Sequence, residues 1–174
     1  MVLGAGERSL IVHHVPDEVP LRSGDIVRLD YGGLFKGYWS DLARTAVVGK
    51  PSARQEYILR NLAQIQRAVI LNAKAGVKFS FLYNLCKEMF LERGLPFFMP
   101  HIGHGMGLGL HEEPMISPLN DDVLEENMIL NIEPLCVDKE TGSGYHIEDL
   151  ILVTKDEPRV LTGSELSDEP IIIG

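Results

Sequence analysis

RLDYGGLFKGYWSDLART (Arg28–Thr45) sets an acid into each arm of what reads as a β-hairpin. Asp30 follows Ile26, Val27 and Leu29, and Asp41 precedes the strand-like run from Ala43 to Val48. The arms Ile26 to Tyr31 and Tyr38 to Val48 are rich in β-branched and aromatic residues, with the Gly-containing LFKG between them. Residues 24–49 are therefore expected to form a hairpin. With Phe35-Lys36 at the tip, Asp30 stands opposite Asp41, and directly opposed side chains on one face lie about 5 Å apart. Two like charges at that spacing destabilise a sheet unless something cationic sits between them.

Working outward, Pro51-Ser52-Ala53-Arg54-Gln55 has the form of a capping box, with Ser at the cap and Gln three residues on. Ile58, Leu62, Ile65 and Val69 then recur at helical spacing, which predicts a helix over 52–75 with Gly76 as its stop. Ser80 is expected to cap a second helix, over 80–93, that buries Leu82, Leu85, Cys86, Met89 and Phe90. These stripes read as core. Beyond Pro96 the chain turns β-rich. Met128 to Val137 and Tyr145 to Thr154 read as two strands of a second hairpin joined by DKETGSG.

The second hairpin repeats the oddity of the first. NMILNIEPLCV carries Glu133 in an apolar run, and GYHIEDLILV carries Glu148. Between the hairpins, PHIGHGMGLGLHEEP sets His101, His104 and His111 among glycines. Burying several carboxylates without counter-charges costs many kcal/mol. The strands offer little cationic help, with Arg28 and Arg44 the nearest. Metal ions are the simplest solution, because four carboxylates would balance two divalent cations. A single strand Asp or Glu more often faces solvent, and a lone His104 would more often be a hydrogen-bonded core histidine. The joint pattern favours metal, and Gly103, Gly105 and Gly107 suggest a backbone that must approach something closely. GHGMGLG does not match the GxGxxG register or a P-loop, and HEEPM is not HExxH.

The bulk numbers are ordinary for a soluble globular protein. At 174 residues, with 45% hydrophobic and 24% charged residues, the chain fits one domain, 1–174, with a full core. A net charge of −9 argues against a nucleic-acid partner. No apolar run approaches the ~20 residues that span a bilayer, and nothing resembles a signal peptide, so a cytoplasmic protein without a membrane partner is expected. Cys86 and Cys136 read as buried small hydrophobes in a reducing compartment.

Taken together, LDYGG…GYWSDLART, GHGMGL…HEEP, NIEP and HIEDLILVT resemble the pita-bread metallopeptidases: methionine aminopeptidases, Xaa-Pro aminopeptidases, prolidases and creatinase-like relatives. The resemblance runs from about His13 to Thr162. It implies an α+β fold, a curved antiparallel sheet with helices on one side. It also implies two divalent ions (Mn, Co, Fe or Zn) held by Asp30, Asp41, His104, Glu133 and Glu148, with Asp41 and Glu148 bridging. On the same basis a metal-bridged water attacks the scissile carbonyl, Glu133 shuttles its proton, and His111 stabilises the tetrahedral intermediate. His13, His111 and His146 are the implied substrate-binding residues of a peptide substrate. His14 reads as a loop residue, and so does His101.

The SDLART and IED forms are closer to the Xaa-Pro branch than to the methionine branch. The implied activity is hydrolysis of the Xaa-Pro bond, with a methionine aminopeptidase or an inactive pita-bread binding module as alternatives. A creatinase-like hydrolase is disfavoured, because such enzymes need no metal set. His146 stands where Xaa-Pro relatives often carry Arg. The early helical layer of the fold has no counterpart here, so the N-terminal part of the fold is expected to be missing. The hairpin's back face would then be bare and apolar, and a second copy could cover it in a homodimer.

Overall fold

The computed structural model describes residues 1–163 and 168–174. In chain order its elements begin with β1 (Val2–Ala5), a 3-10 turn (Gly6–Leu10), β2 (Ile26–Phe35), β3 (Tyr38–Val48), α1 (Ala53–Asn72) and α2 (Phe79–Glu92). There follow β4 (Gly103–Gly105), β5 (Glu112–Met115), β6 (Ile129–Ile132), β7 (Leu135–Asp138), β8 (Ser143–His146), β9 (Asp149–Leu152), β10 (Arg159–Val160) and β11 (Ile171–Ile173).

The first hairpin forms, but in a different register from the one expected. Its tip is Lys36-Gly37, with φ of 52° and 89°. A two-residue turn matching the strand twist needs positive φ at both central residues, and a glycine in second place makes that affordable only in this frame. Asp30 therefore pairs with Ala43, and Asp41 with Gly32. The acids are diagonal neighbours on one face rather than opposed partners. At Gly32 any Cβ would collide with the Ser40 carbonyl oxygen, so the residue opposite Asp41 must be glycine.

β1 covers the free edge of β2 in antiparallel fashion, while β11 pairs in parallel with β3. The parallel pair departs from an all-antiparallel sheet. Only strands joined by a tight turn are forced to run antiparallel, and β11 reaches β3 from far along the chain. The second hairpin is broken in both arms. β7 pairs with β8 as a separate ribbon, while β6 and β9 join the sheet ordered β10-β9-β6-β4-β5. The breaks fall at Glu133-Pro134 and Ile147-Glu148, where Pro134 has no N–H to give a ladder. The Glu133 N–H bonds the Ile102 carbonyl at 2.9 Å, and the Glu148 N–H bonds the Ala43 carbonyl at 3.0 Å. Both acids thus sit where strands change partners.

Ser52 caps α1 with the expected capping box. The helix ends at Asn72, short of Gly76, because the Ala75 and Gly76 N–H groups turn away to the carbonyls of Thr154 and Leu124. Ser80 does not cap α2. The N–H groups of Phe79 and Ser80 bond the carbonyls of Asp122 and Asn120, so no side-chain cap is needed, and the Ser80 hydroxyl instead donates to Asp121. Ile58, Leu62, Ile65, Val69, Leu82, Cys86 and Phe90 are buried as their spacing predicts. Ile26 and Val47 join the same core, so the base of the hairpin is covered rather than bare. Exposure is concentrated at its tip, where Leu34, Phe35 and Tyr38 face solvent. Cys86 and Cys136 are free and buried.

Candidate metal centre

The two strand breaks and the first hairpin converge on one point. Asp41, His104 and Glu148 offer ligand atoms that all lie within 4.8 Å of one another, and so do Asp30, His146 and Glu148. Glu148 belongs to both groups. Glu133 lies alongside, its Oε1 3.7 Å from His104 Nε2 and its Oε2 3.8 Å from His146 Nε2. All five residues expected as ligands are therefore brought together.

Each is aimed by backbone chemistry. His104 is fully buried on β4, and its Nδ1 is 2.9 Å from the Gly105 carbonyl, which fixes Nδ1 as the protonated nitrogen and leaves Nε2 as the acceptor. Gly103 lets β4 lie against β6, for a Cβ there would strike the Asn131 carbonyl oxygen. The close approach anticipated for these glycines is thus to neighbouring strands. Glu112, the first acid of HEEP, accepts the Gly109 N–H at 2.6 Å and orders the loop that carries His111.

The electrostatics are those of acids crowded out of water. Burial, reinforced by Asp41, Glu133 and Asp30, pushes the Glu148 carboxyl up to about 10. Burial and Asp30 raise Asp41 to about 6. Burial depresses the imidazoles of His104 and His146, keeping both neutral near pH 7. Among the described residues, His104 Nε2, Glu133 Oε1, Glu148 Oε2 and His146 Nδ1 are buried without a hydrogen-bond partner. Neutral imidazole nitrogens and unpartnered carboxylate oxygens converging in a buried site are the donor set of a metal centre.

A cavity of 430 Å³ opens on this point, lined by Asp30, Asp41, Glu133, His146 and Glu148 together with His13, His101 and His111. The His111 ring stands 4.4 Å from that of His104, tilted by 53°. His101, read from sequence as a loop residue, places Nδ1 3.5 Å from Glu133 Oε1. His14 is a loop residue, its Nδ1 2.9 Å from the Leu3 carbonyl.

Asn131 and Thr45 escaped the sequence reading, and so did the role of Arg28, which the sequence marks only as a nearby cation. Asn131, fully buried on β6, donates its Nδ2 to Glu148 Oε1. Thr45 accepts the His146 N–H at 2.8 Å and donates to the His146 carbonyl at 2.7 Å. Arg28, also fully buried, donates through Nη2 to the carbonyls of Ile11 and Val12, pinning the loop that bears His13. A polar residue inside an apolar strand was the available signal for each. Arg44, the other nearby cation, pairs with Asp149 at 2.7 Å and donates to the Glu148 carbonyl.

The pattern of metallopeptidase family M24 matches residues 1–155. The chain belongs to that family. It is 35% identical over 165 residues to the Xaa-Pro dipeptidase of Pyrococcus horikoshii, covering 94% of this chain and 47% of that protein. The M24 fold follows from solved structures. The prolidase of Pyrococcus furiosus matches with a TM-score of 0.89 at 34% identity, over 94% of this chain and 49% of that one. The X-Pro aminopeptidase of Thermotoga maritima matches at 0.91 and 28% identity, over 99% and 48%. A methionine aminopeptidase of Thermotoga maritima matches at 0.83 and 27%, over 94% and 73%. This M24 chain spans about half the length of the curated relatives it matches, and no described helix is long and apolar enough to cross a membrane.

Proposed function

We propose that the chain is the metal-dependent catalytic part of a peptidase that hydrolyses the bond before proline. The observation that carries this reading is the sharing of Glu148 by two buried donor groups, Asp30–His146–Glu148 and Asp41–His104–Glu148. One acid common to two donor sets is what a pair of ions needs. The unpartnered atoms of His104, Glu133 and Glu148 fit that demand. Asp30, Asp41, His104, Glu133 and Glu148 would hold two divalent ions. Oxygen-rich donors with imidazole suit Mn, Co, Fe or Zn. When bound, such ions supply Lewis acidity toward the scissile carbonyl and ease deprotonation of the attacking water.

The side chains supply the rest. Glu133 borders the cavity and accepts the proton of the attacking water, then returns it to the leaving amine. His111 donates to the oxyanion that develops on the substrate. His13 contacts the substrate from the loop that Arg28 holds. Preference for proline is supported by the 35% identity to a Xaa-Pro dipeptidase. The free cysteines suit a reducing, cytoplasmic setting.

The test is an assay of metal-reconstituted protein on Xaa-Pro dipeptides, longer Xaa-Pro peptides and Met-Ala peptides. Turnover of Xaa-Pro substrates above Met-Ala is expected. Faster Met-Ala cleavage would favour a methionine-type enzyme. Bound metal without hydrolysis would indicate a binding module.

A further inference from the structure

Resting on the dinuclear reading, we propose that His146 is itself a metal ligand, completing with Asp30 and Glu148 one of the two ion positions through Nδ1. The side chain is buried, 3% exposed, and its Nδ1 has no hydrogen-bond partner. Asp30 Oδ2 lies 3.9 Å from that nitrogen, and Glu133 Oε2 lies 3.8 Å from Nε2. Both distances are beyond hydrogen-bond reach, so the ring is not there to tether either acid. Two donor atoms each about 2.1 Å from one ion lie about 3.0–4.2 Å apart, depending on the angle between the bonds. The separation from Asp30 falls within that interval.

The backbone is prepared for the role. Thr45 grips His146 at both its N–H and its carbonyl, so the imidazole is presented from a fixed strand end two residues before Glu148. A guanidinium at this position, as the Xaa-Pro resemblance leads one to expect, could not ligate a cation. The assignment therefore separates this chain from that pattern. It also predicts a bias: a second imidazole favours Co, Zn or Fe over Mn at this position.

Titration of the metal-free chain with Co2+, followed by calorimetry and visible absorption, tests the assignment. The unmodified chain binds two ions. His146→Gln, shown to be folded by circular dichroism, is expected to weaken one of the two at least tenfold and alter the absorption bands, leaving the other ion unchanged. Unchanged affinities and bands in the folded variant would overturn the proposal while the dinuclear reading stood. Failure of the unmodified chain to bind cobalt would bring down both. Should the variant not fold, X-ray absorption of the dicobalt form decides: two imidazoles per two ions support the assignment, and one refutes it.

Discussion

Asn131 on β6 donates its side-chain amide to Glu148 Oε1 across the break between β8 and β9, fixing one carboxylate oxygen and leaving Oε2 unpartnered. The bond sets the orientation of the one acid that both donor groups share. Residues that orient ligands in this way typically carry a tenfold to hundredfold share of metal affinity. Asn131→Leu should accordingly weaken metal binding by about 10–100-fold in a calorimetric titration. Retention of full affinity would mean that Glu148 is positioned by its backbone alone.

Metal-free protein should lose stability as pH rises above 7. Glu148 titrates near 10 in the folded chain, against an ordinary value of 4.5. The folded state therefore holds a proton there that the unfolded state has released. A raised carboxyl stabilises fully only below its unfolded pKa, and that contribution drains away as pH rises toward the folded one. The limiting slope is about 1.4 kcal/mol per pH unit. Asp41, near 6, has finished contributing by pH 7.5, and so have the depressed imidazoles of His104 and His146. Denaturant titrations at pH 7.5 and 8.5 measure the effect. Glu148→Gln should flatten the slope and stabilise the metal-free chain while reducing metal binding. A metal-free chain whose stability is flat or rising over this interval would contradict the burial of an acid pair here.

Much of this was readable because the acids violate the pattern around them. Asp30, Asp41, Glu133 and Glu148 stand in apolar strands, and the periodic stripe of α1 is plain from Ile58 to Val69. What escaped depends on contacts far apart in sequence. The hairpin frame turns on Lys36 adopting positive φ, which its side chain does not advertise. The reading of Met128 to Val137 as one strand passes over Pro134, and the new partners of the broken arms are set by β4 and by Ala43. Asn131 and Thr45 stand out only as polar residues in apolar strands, and what they hold is set by Glu148 and His146, which come from far along the chain.

His111 should matter to the chemical step. Its ring lies beside that of His104 and lines the cavity. His111→Ala is expected to lower kcat by about 100-fold or more, the scale seen when an oxyanion donor is removed. Steady-state kinetics on an Xaa-Pro peptide measure it. An effect confined to KM would make His111 a ground-state binding residue instead.

Arg28 should act through the loop above it. The guanidinium is fully buried, and burial depresses its pKa against the pull of Asp30, so it is kept there at a cost. What it gains is two carbonyl partners, Ile11 and Val12, in a segment otherwise tied to β1 through bonds between His14 and Leu3. Removing a charged donor from buried acceptors typically costs about 1.5–3 kcal/mol. Arg28→Met keeps the side chain's bulk while deleting those bonds. Amide exchange at Val12 to His14 should accelerate in this variant, with the α1 amides from Ile58 to Val69 unaffected. Because His13 then samples many positions, KM for peptide should rise more than kcat falls. Unchanged exchange in the loop would show that β1 alone holds it, and a uniform rise across α1 would mean that Arg28 supports the whole fold rather than the loop.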